Sequence, residues 1–479
     1  TGGTTINAGT LALGANNVLA DTGAVTVSGG TLDIATFNDT VGTVTLSSGS
    51  ITGTTGQLTS ANYNVTNTTG STSISAILAG SGQLTKTGAG ALTLSGANTY
   101  TGATAINAGV LSVTGSLSDS TPVTVASGAT YNVDASDTIA SLAGSGVVSS
   151  SNAGLKTLTI NNQQSSGTFD GVIQDGSGQL ALTKLGTGTL NLLGANTYTG
   201  LTTIDVGRIV FENNAMPATS GFAGAGSVVI QSASNSFAAN VTVTYTFAST
   251  LSAFTLGKTS NDVDVSLNSA IEINGPVTIY GRNLNLNNNV NAGLLNAAAI
   301  FKATSSIVLA ANKTITTNSG AITFNSDSDA SGAGHIVINA GAGVYSNGGA
   351  ITLGGGANPV TDYAVGAASG NKGVAIYQAT ISSGAGNIVI NGKGFGSNGI
   401  YVEGNTSTNA SAGVASITST SGSITLNAYS TSGPALFIYR PNTQVTSSSG
   451  NILVNTSGGL ELWRDNLGAG VAPVMSTSG

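Results

Sequence analysis

Residues 80–111 read GSGQLTKTGAGALTLSGANTYTGATAINAGVL. Within them Leu92-Thr93-Leu94 and Ile106-Asn107-Ala108 alternate apolar and polar, the two-residue period of a strand. Gly88, Gly90, Gly96, Asn98, Gly102 and Gly109 punctuate these runs as tight turns, since glycine and asparagine tolerate positive φ. The stretch returns at residues 176–209 as GSGQLALTKLGTGTLNLLGANTYTGLTTIDVGRI. The letters GANTYTG at 96–102 and 194–200 are identical and lie 98 positions apart. The chain also opens inside a copy, because residues 1–11 (TGGTTINAGTL) align with 101–111. Repeats must be found before any motif is interpreted, because they set the architecture. Short strands, frequent turns and no helical stretch predict coils of parallel strands.

The same letters resemble a known family. Residues 84–111 fit the pattern LTKTGxGxLTLSGxNTYTGxTxIxxGxL closely, and 182–209 fit it with small changes. This is similar to the passenger-associated transport repeat of bacterial autotransporters. The resemblance implies a right-handed parallel β-helix on an extracellular, cell-surface protein secreted across the outer membrane of a Gram-negative-type bacterium.

Length and composition agree with a solenoid. The chain has 479 residues, beyond the roughly 250–300 at which one globular core stops growing. A solenoid escapes this limit because each coil buries its face on the next. Charged residues make up 6% and the net charge is −7. Solubility therefore rests on hydroxyls and amides, and nucleic acid, which needs a basic footprint, is excluded as a partner. No cysteine is present, so neither disulfides nor thiol chemistry arise, which is compatible with export in an unfolded form. No run reaches the roughly 18 apolar residues of a membrane span. Opening in mid-repeat without a signal peptide, the chain reads as a piece of something longer.

Three regions follow in order. Residues 1–210 hold the supra-repeat of about 98 residues, four or five coils each. Val25-Thr26-Val27 aligns with Val123-Thr124-Val125, while polar segments such as 149–167 read as lateral loops. Residues 211–270 read as an irregular β junction continuous with the solenoid, with one long alternating strand over 241–247. Residues 271–479 repeat a different unit, Gly-x-Ile-x-(aliphatic or Phe), often followed by Asn. It occurs at 320–325 (GAITFN), 334–339 (GHIVIN), 349–353 (GAITL), 386–391 (GNIVIN), 422–427 (GSITLN) and 450–455 (GNILVN). Residues 275–325, from GPVTIYGRNLNLNNNV to ANKTITTNSGAITFN, resemble the repeats of filamentous-haemagglutinin-type adhesins. That likeness implies the same architecture in a surface adhesin or fibre.

An aromatic position recurs in the last region. Val374-Ala375-Ile376-Tyr377, Leu436-Phe437-Ile438-Tyr439 and Leu460-Glu461-Leu462-Trp463 share the form aliphatic-x-aliphatic-aromatic, and Tyr401 fits the same scheme. If the aliphatics face the core, Tyr377, Tyr401, Tyr439 and Trp463 face outward. Such a row stacks on sugar rings or docks a partner, unless the rings only pack on one another between coils.

Catalytic chemistry finds little footing. Nucleophile triads and zinc sites need histidine or cysteine. His335, the one histidine, sits where sister repeats place Asn387 and Asn451, a turn position. The paired carboxylates Asp134 with Asp137, Asp170 with Asp175, Asp262 with Asp264 and Asp327 with Asp329 resemble the acid pairs of polysaccharide-cleaving β-helices. Turn capping explains each equally well. The run 325–329 (NSDSD) opens like a calcium loop but lacks its glycine and its bidentate Glu. Residues 394–399 (GFGSNG) match GxGxxG without the helix that a nucleotide site needs. Lys86 and Lys184 hold equivalent repeat positions and read as solvated strand edges.

The sequence thus predicts an all-β, right-handed parallel β-helix of about 20–24 coils, a rod on the order of 100 Å long. Its expected function is an extracellular structural and adhesive passenger segment. No enzymatic activity, metal or cofactor is expected. The expected partners are other copies of itself or further coils stacked end to end, with host or environmental glycans as the ligands of an aromatic row. A carbohydrate-binding module and a polysaccharide-degrading β-helix are the alternatives.

Overall fold

A computed structural model describes residues 2–161, 166–366, 370–405, 413–440, 442–463 and 474–477. All regular structure in it is β, and every ladder between its strands is parallel. The chain divides into two compact units, 1–227 and 228–479. Both are three-sided β-solenoids and together they hold about 19 turns, slightly fewer than the 20 to 24 expected. The shortfall has a simple cause in the second unit. Ile307–Leu309, Ile336–Ile338 and Val374–Tyr377 are successive layers of one face. Their spacing shows coils lengthened by turn insertions, which consume residues without adding a layer.

In the first unit, one inward column runs Ile6, Val27, Leu46, Val65, Lys86, Ile106, Val125, Gly144 and Phe169, each in register with the next. The aliphatic members are fully buried or nearly so. Each fully buried Val, Leu or Ile contributes roughly 1.5–3 kcal/mol, and the parallel register repeats that contribution at every layer. One member is the exception. Lys86 is 0% exposed, and so is Lys184, which stands in the column Ile139, Ile160, Lys184, Ile204. Neither is a solvated strand edge. Each side chain extends inward and its ammonium is held by carbonyl oxygens at the coil corner. Lys86 Nζ donates to Gly88 and Ala108; Lys184 Nζ donates to Gly186 at 2.6 Å and to Leu185 and Val206 at 3.2 Å. Burial lowers both lysine pKa values.

The repeated letters GANTYTG make a corner clasp. Asn98 Oδ1 accepts Leu78 N–H from the coil below at 3.1 Å while its Nδ2 donates to Gly96 O. Asn196 does the same with Ile173 and Gly194. Tyr100 and Tyr198 are fully buried, and their hydroxyls pair with Thr104 and Thr202 at 2.5 and 2.7 Å. The glycines act differently from expectation. Gly109 has a positive φ of 70°, matched by Gly9 and Gly207. Gly88, Gly96 and Gly102 do not, and Asn98 does not either. Their reason is proximity: a Cβ on Gly88 would stand 1.8 Å from Asn67 O, and one on Gly102 2.2 Å from Gly82 O.

The copies do not share a face. Gln83–Lys86 belongs to the face that continues through Thr104–Ile106, Pro122–Val125, Ser141–Gly144, Gly167–Phe169 and Thr189–Leu192. Its counterpart Gln179–Leu185 lies on the neighbouring face, between Leu155–Asn161 and Thr202–Ile204. The step from Thr4–Ile6 to Thr104–Ile106 is five whole turns. The next step, from Gln83–Lys86 to Gln179–Leu185, is four and two-thirds turns. The 149–167 segment explains the slip. It is not simply a lateral loop, because Leu155–Asn161 forms a full strand with Leu158 and Ile160 in the core.

In the second unit the three faces stack through Val241–Val243 to Leu460–Trp463, Ile271–Ile273 to Val474–Thr477, and Ala253–Leu256 to Ile452–Thr456. The 241–247 run is two short strands, Val241–Val243 and Thr246–Phe247, not one long one. Five of the six Gly-x-Ile units share the last of these faces. GHIVIN is the exception: Ile336 pairs with Ile307 and Val374 on another face, so His335 is not the counterpart of Asn387 or Asn451. The glycines of the five stack at one corner. A Cβ on Gly349, Gly386, Gly422 or Gly450 would lie 1.9–2.3 Å from the carbonyl oxygen of the glycine one coil below. Three residues earlier stands a buried hydroxyl in each coil: Thr317, Ser346, Ser383, Ser419 and Ser447. Ser383 Oγ donates to Gly386 O at 2.5 Å, and Ser419 and Ser447 accept the N–H of Gly422 and Gly450 at 2.9 Å. At the strand ends, Asn427 Nδ2 donates to Asn391 Oδ1 and Asn455 Nδ2 to Asn427 Oδ1, both at 2.6 Å. This is an amide ladder of the kind stacked sheets favour.

Candidate binding surface

Two aromatic clusters decorate the second unit. The first lies on the face that contains Val374–Tyr377, Ile400–Glu403 and Leu436–Tyr439. Val374, Ile376, Ile400, Val402, Leu436 and Ile438 point inward, so the alternate residues form two outward columns. One column is Ala375, Tyr401, Phe437, Glu461; the other is Tyr377, Glu403, Tyr439, whose register continues to position 463. Tyr377 and Tyr439 therefore share a column. Tyr401 stands in the adjacent one, because its strand carries the ring two residues earlier and Glu403 takes the terminal position. The side chain of Trp463 lies outside the described residues.

The rings form a connected group. Tyr401 and Phe437 stack at 5.6 Å with planes 10° apart, and Tyr377, Tyr439 and Phe437 approach within 5.5–6.4 Å of their neighbours. Lys372 Nζ sits 4.8 Å above Tyr401, and the Arg440 guanidinium 4.9 Å from the Tyr439 ring. Arg440 also pairs with Glu403 at 3.0 Å, and Glu403 accepts the Tyr401 hydroxyl at 3.0 Å. Burial, then the Glu403 charge, raises the pKa of both Tyr401 and Tyr377. Mutual stacking between coils, the plainer of the two expected roles, accounts for most of these contacts.

The second cluster was not visible in the sequence pattern. On the face carrying Ile388–Gly394 and Ile424–Ser430, Lys393 is in register with Val365 and Tyr429. Its ammonium lies 5.0 Å from the ring centres of both Phe395 and Tyr429, and Tyr363 meets Tyr429 at 6.5 Å and 53°. Phe395 and Tyr429 are 40% and 37% exposed, more than the rings of the first cluster. The GFGSNG run is the loop that presents Phe395. Gly396 takes a φ of 67°, and a Cβ on Gly394 would strike Ser397 O at 2.3 Å. The motif is thus a hairpin-like turn at a strand end, with no helix to receive phosphate. The form aliphatic-x-aliphatic-aromatic does not mark these rings, since they come from strand extensions and a loop.

The paired carboxylates serve the backbone. Asp134 accepts Ser151 and Asn152 N–H, Asp175 accepts Leu180 and Thr199 N–H, and Asp327 accepts Gly332 N–H. Asp264 pairs with Arg282 at 2.9 Å, which lowers its pKa. Asp137 accepts Leu117 N–H at 2.9 Å and is 7% exposed; burial pushes its carboxyl up to about 6. His335 has its pKa lowered by burial. Among the described residues no group of three or more His, Cys, Asp or Glu could hold a metal ion.

Comparison with known proteins gives these coils a context. The family model of the passenger-associated transport repeat matches residues 1–13, 84–113 and 182–210. The buried lysines and both GANTYTG clasps fall inside the second and third segments. In these segments the chain is similar to the repeats of autotransporter passengers. The chain is also similar to the adhesin BmaC autotransporter of Brucella suis biovar 1 (strain 1330), with 33% identity over 218 residues. The match covers 44% of this chain and 5% of that relative. The chain therefore spans about a twentieth of the relative's length. No solved structure matches it.

Proposed function

We propose that this passenger segment works outside the cell as an adhesive solenoid, building a rod or fibre that mediates attachment to surfaces or to other cells. The observation that carries this reading is the stacking of transport repeats into regular coils in a chain that resembles an adhesin. The outer positions suit the role, because the chain has only 6% charged residues and its solvent face is built from threonine, serine and asparagine. Weak, repeated contacts along such a face add up through avidity. Further coils or second copies stacked end to end are the partners this reading implies. The engagement of each carboxylate pair by backbone N–H groups or an arginine supports a non-catalytic role. The outward rings favour glycans as one class of ligand.

The test is display. The segment, fused to a heterologous translocator on a non-adherent bacterium, is expected to raise retention on cell-coated or abiotic surfaces well above the empty translocator. Equal retention would overturn the adhesive reading. Negative-stain imaging across concentrations separates the two forms. Particles of constant length mean a stalk, and filaments that lengthen with concentration mean a fibre subunit.

A further inference from the structure

The cluster of Tyr363, Lys393, Phe395 and Tyr429 has a composition that mutual packing does not explain. Ile388–Gly394 and Ile424–Ser430 each run seven residues, whereas Ile351–Gly355 and Ile452–Thr456 run five. The extra residues 392–394 pair with Ala364–Gly366 on one side and 428–430 on the other, and those of Ile424–Ser430 form a ledge. On it, the ladder above stops at Ala428 and Thr456, so among the described residues no strand partner stands over Tyr429. Phe395 is carried up by the glycine turn and fixed there: Gly396 N–H donates to Thr431 Oγ1, and Ser430 Oγ donates to Ser397 O at 2.8 Å. Two exposed rings are thereby held in place at the entropic expense of a braced loop.

Lys393 lies between those rings with its ammonium 5.0 Å from each. Among the described residues it has no carboxylate within ion-pair distance and no hydrogen-bond acceptor. This sets it apart from Arg440, which pairs with Glu403, and from Arg282, which pairs with Asp264. The neighbouring carboxylate of Asp362 is turned to Asn358 N–H at 2.8 Å and to the Thr361 hydroxyl at 3.1 Å. A cation on aromatic faces keeps its attraction for an anion, and two ring faces beside it offer an apolar seat. Exposed Thr431 and Ser432 add hydroxyls at the rim.

We infer that Tyr363, Lys393, Phe395 and Tyr429 form a binding site for an acidic saccharide, a pyranose bearing a carboxylate or sulfate. The charge complementarity identifies the occupant. The unpaired ammonium takes the acid group, the C–H face of the ring stacks on Phe395 or Tyr429, and the ring hydroxyls meet Thr431 and Ser432. An acidic peptide lacks a flat apolar face rigidly joined to its charge, so it satisfies one half of the site only. The site deepens the adhesive reading, on which it rests only for its access to extracellular polymers.

The test uses the whole chain, immobilised, with oligogalacturonate, polysialic acid and chondroitin sulfate as probes, and methyl-esterified oligogalacturonate as the neutral control. At least one acidic probe is expected to bind, with the neutral control roughly tenfold weaker or more, the loss expected for one charge-assisted hydrogen bond. Lys393→Gln, which keeps a donor without the charge, is expected to lose a similar factor, and Phe395→Ala and Tyr429→Ala to weaken all probes. These surface changes leave the core intact, which an unchanged thermal transition would verify. Three results overturn the proposal: no acidic probe binds, the variants bind as the parent does, or polyglutamate competes as well as the saccharides. Comparing the uronate, sialate and sulfate arms tells which acid the site prefers. Surface retention by the displayed chain with no probe binding would sink this site while leaving the adhesive reading standing.

Discussion

Asp137 is a carboxylate placed where folding must work against its charge. It stands at the start of Asp137–Ile139, with only 7% of its surface exposed, and one oxygen accepts Leu117 N–H at 2.9 Å. Burial raises its pKa from 3.8 to about 6, opposed by the N–H groups of Leu117 and Thr138 and assisted by the charge of Asp119. The linkage has a definite sign. The folded chain binds this proton more tightly than the unfolded chain, so stability is fullest below 3.8 and is lost as pH rises through 6. At neutral pH the accumulated loss is about 3 kcal/mol at most. The side chain also lines a polar cleft of ≈ 310 Å³ with Asp119, Ser136, Thr138, Thr157 and Thr159. Water in that cleft would reduce the figure to about 1–3 kcal/mol. Asp137→Asn removes the charge and keeps an oxygen for Leu117. Urea unfolding followed by circular dichroism, at a series of pH values from 4 to 7.5, isolates the effect because all other groups are common to both chains. The variant is expected to match the parent near pH 4 and exceed it by about 1–3 kcal/mol above pH 6.5. A gap that stays constant with pH, or a variant less stable at neutral pH, would refute the reasoning.

Two further outcomes follow from the corners. Lys184 has its pKa lowered by burial, so the folded chain sheds its proton before the unfolded chain does. Relative to Lys184→Met, the parent is expected to gain stability as pH rises from that lowered value towards 10.5. Above about 10 the buried tyrosines, whose pKa values are raised, turn both chains downward. Parallel pH profiles for the two chains would show that the ammonium is not buried. Gly386→Ala would bring a methyl group 1.9 Å from Gly349 O, and the shift needed to relieve it is expected to cost about 1–3 kcal/mol, read as a lower urea midpoint. An unchanged midpoint would mean that the corner glycines are not there for close approach.

The strand period and the repeat were sufficient to read the solenoid, because a coil that packs only on its neighbours writes its core pattern into every layer. What lay beyond reach was anything that depends on which residues meet across a corner. Lys86 looks like any charged residue in a strand, and its burial is visible only once the carbonyls of Gly88 and Ala108 close around it. The glycines were expected for their backbone freedom, whereas most serve close approach, which sequence spacing cannot express. The outward aromatics were legible as a two-residue alternation. The sequence did not show that Tyr401 sits one column over, nor that Phe395 rises from a glycine turn beside Lys393. His335 was assigned to the wrong face because coil length varies, and a short motif carries no record of the face on which it lands.

The slip of one-third of a turn between transport repeats says something about how such chains grow. All three faces use similar short strands, and the corner clasps close locally on the coil below. A duplicated segment therefore has no need to be a whole number of turns in length. It can be spliced in at any corner and still find a register, at the cost only of pointing its outer residues along a different bearing. Duplication of this kind lengthens the chain and scatters its side chains around the axis in the same event.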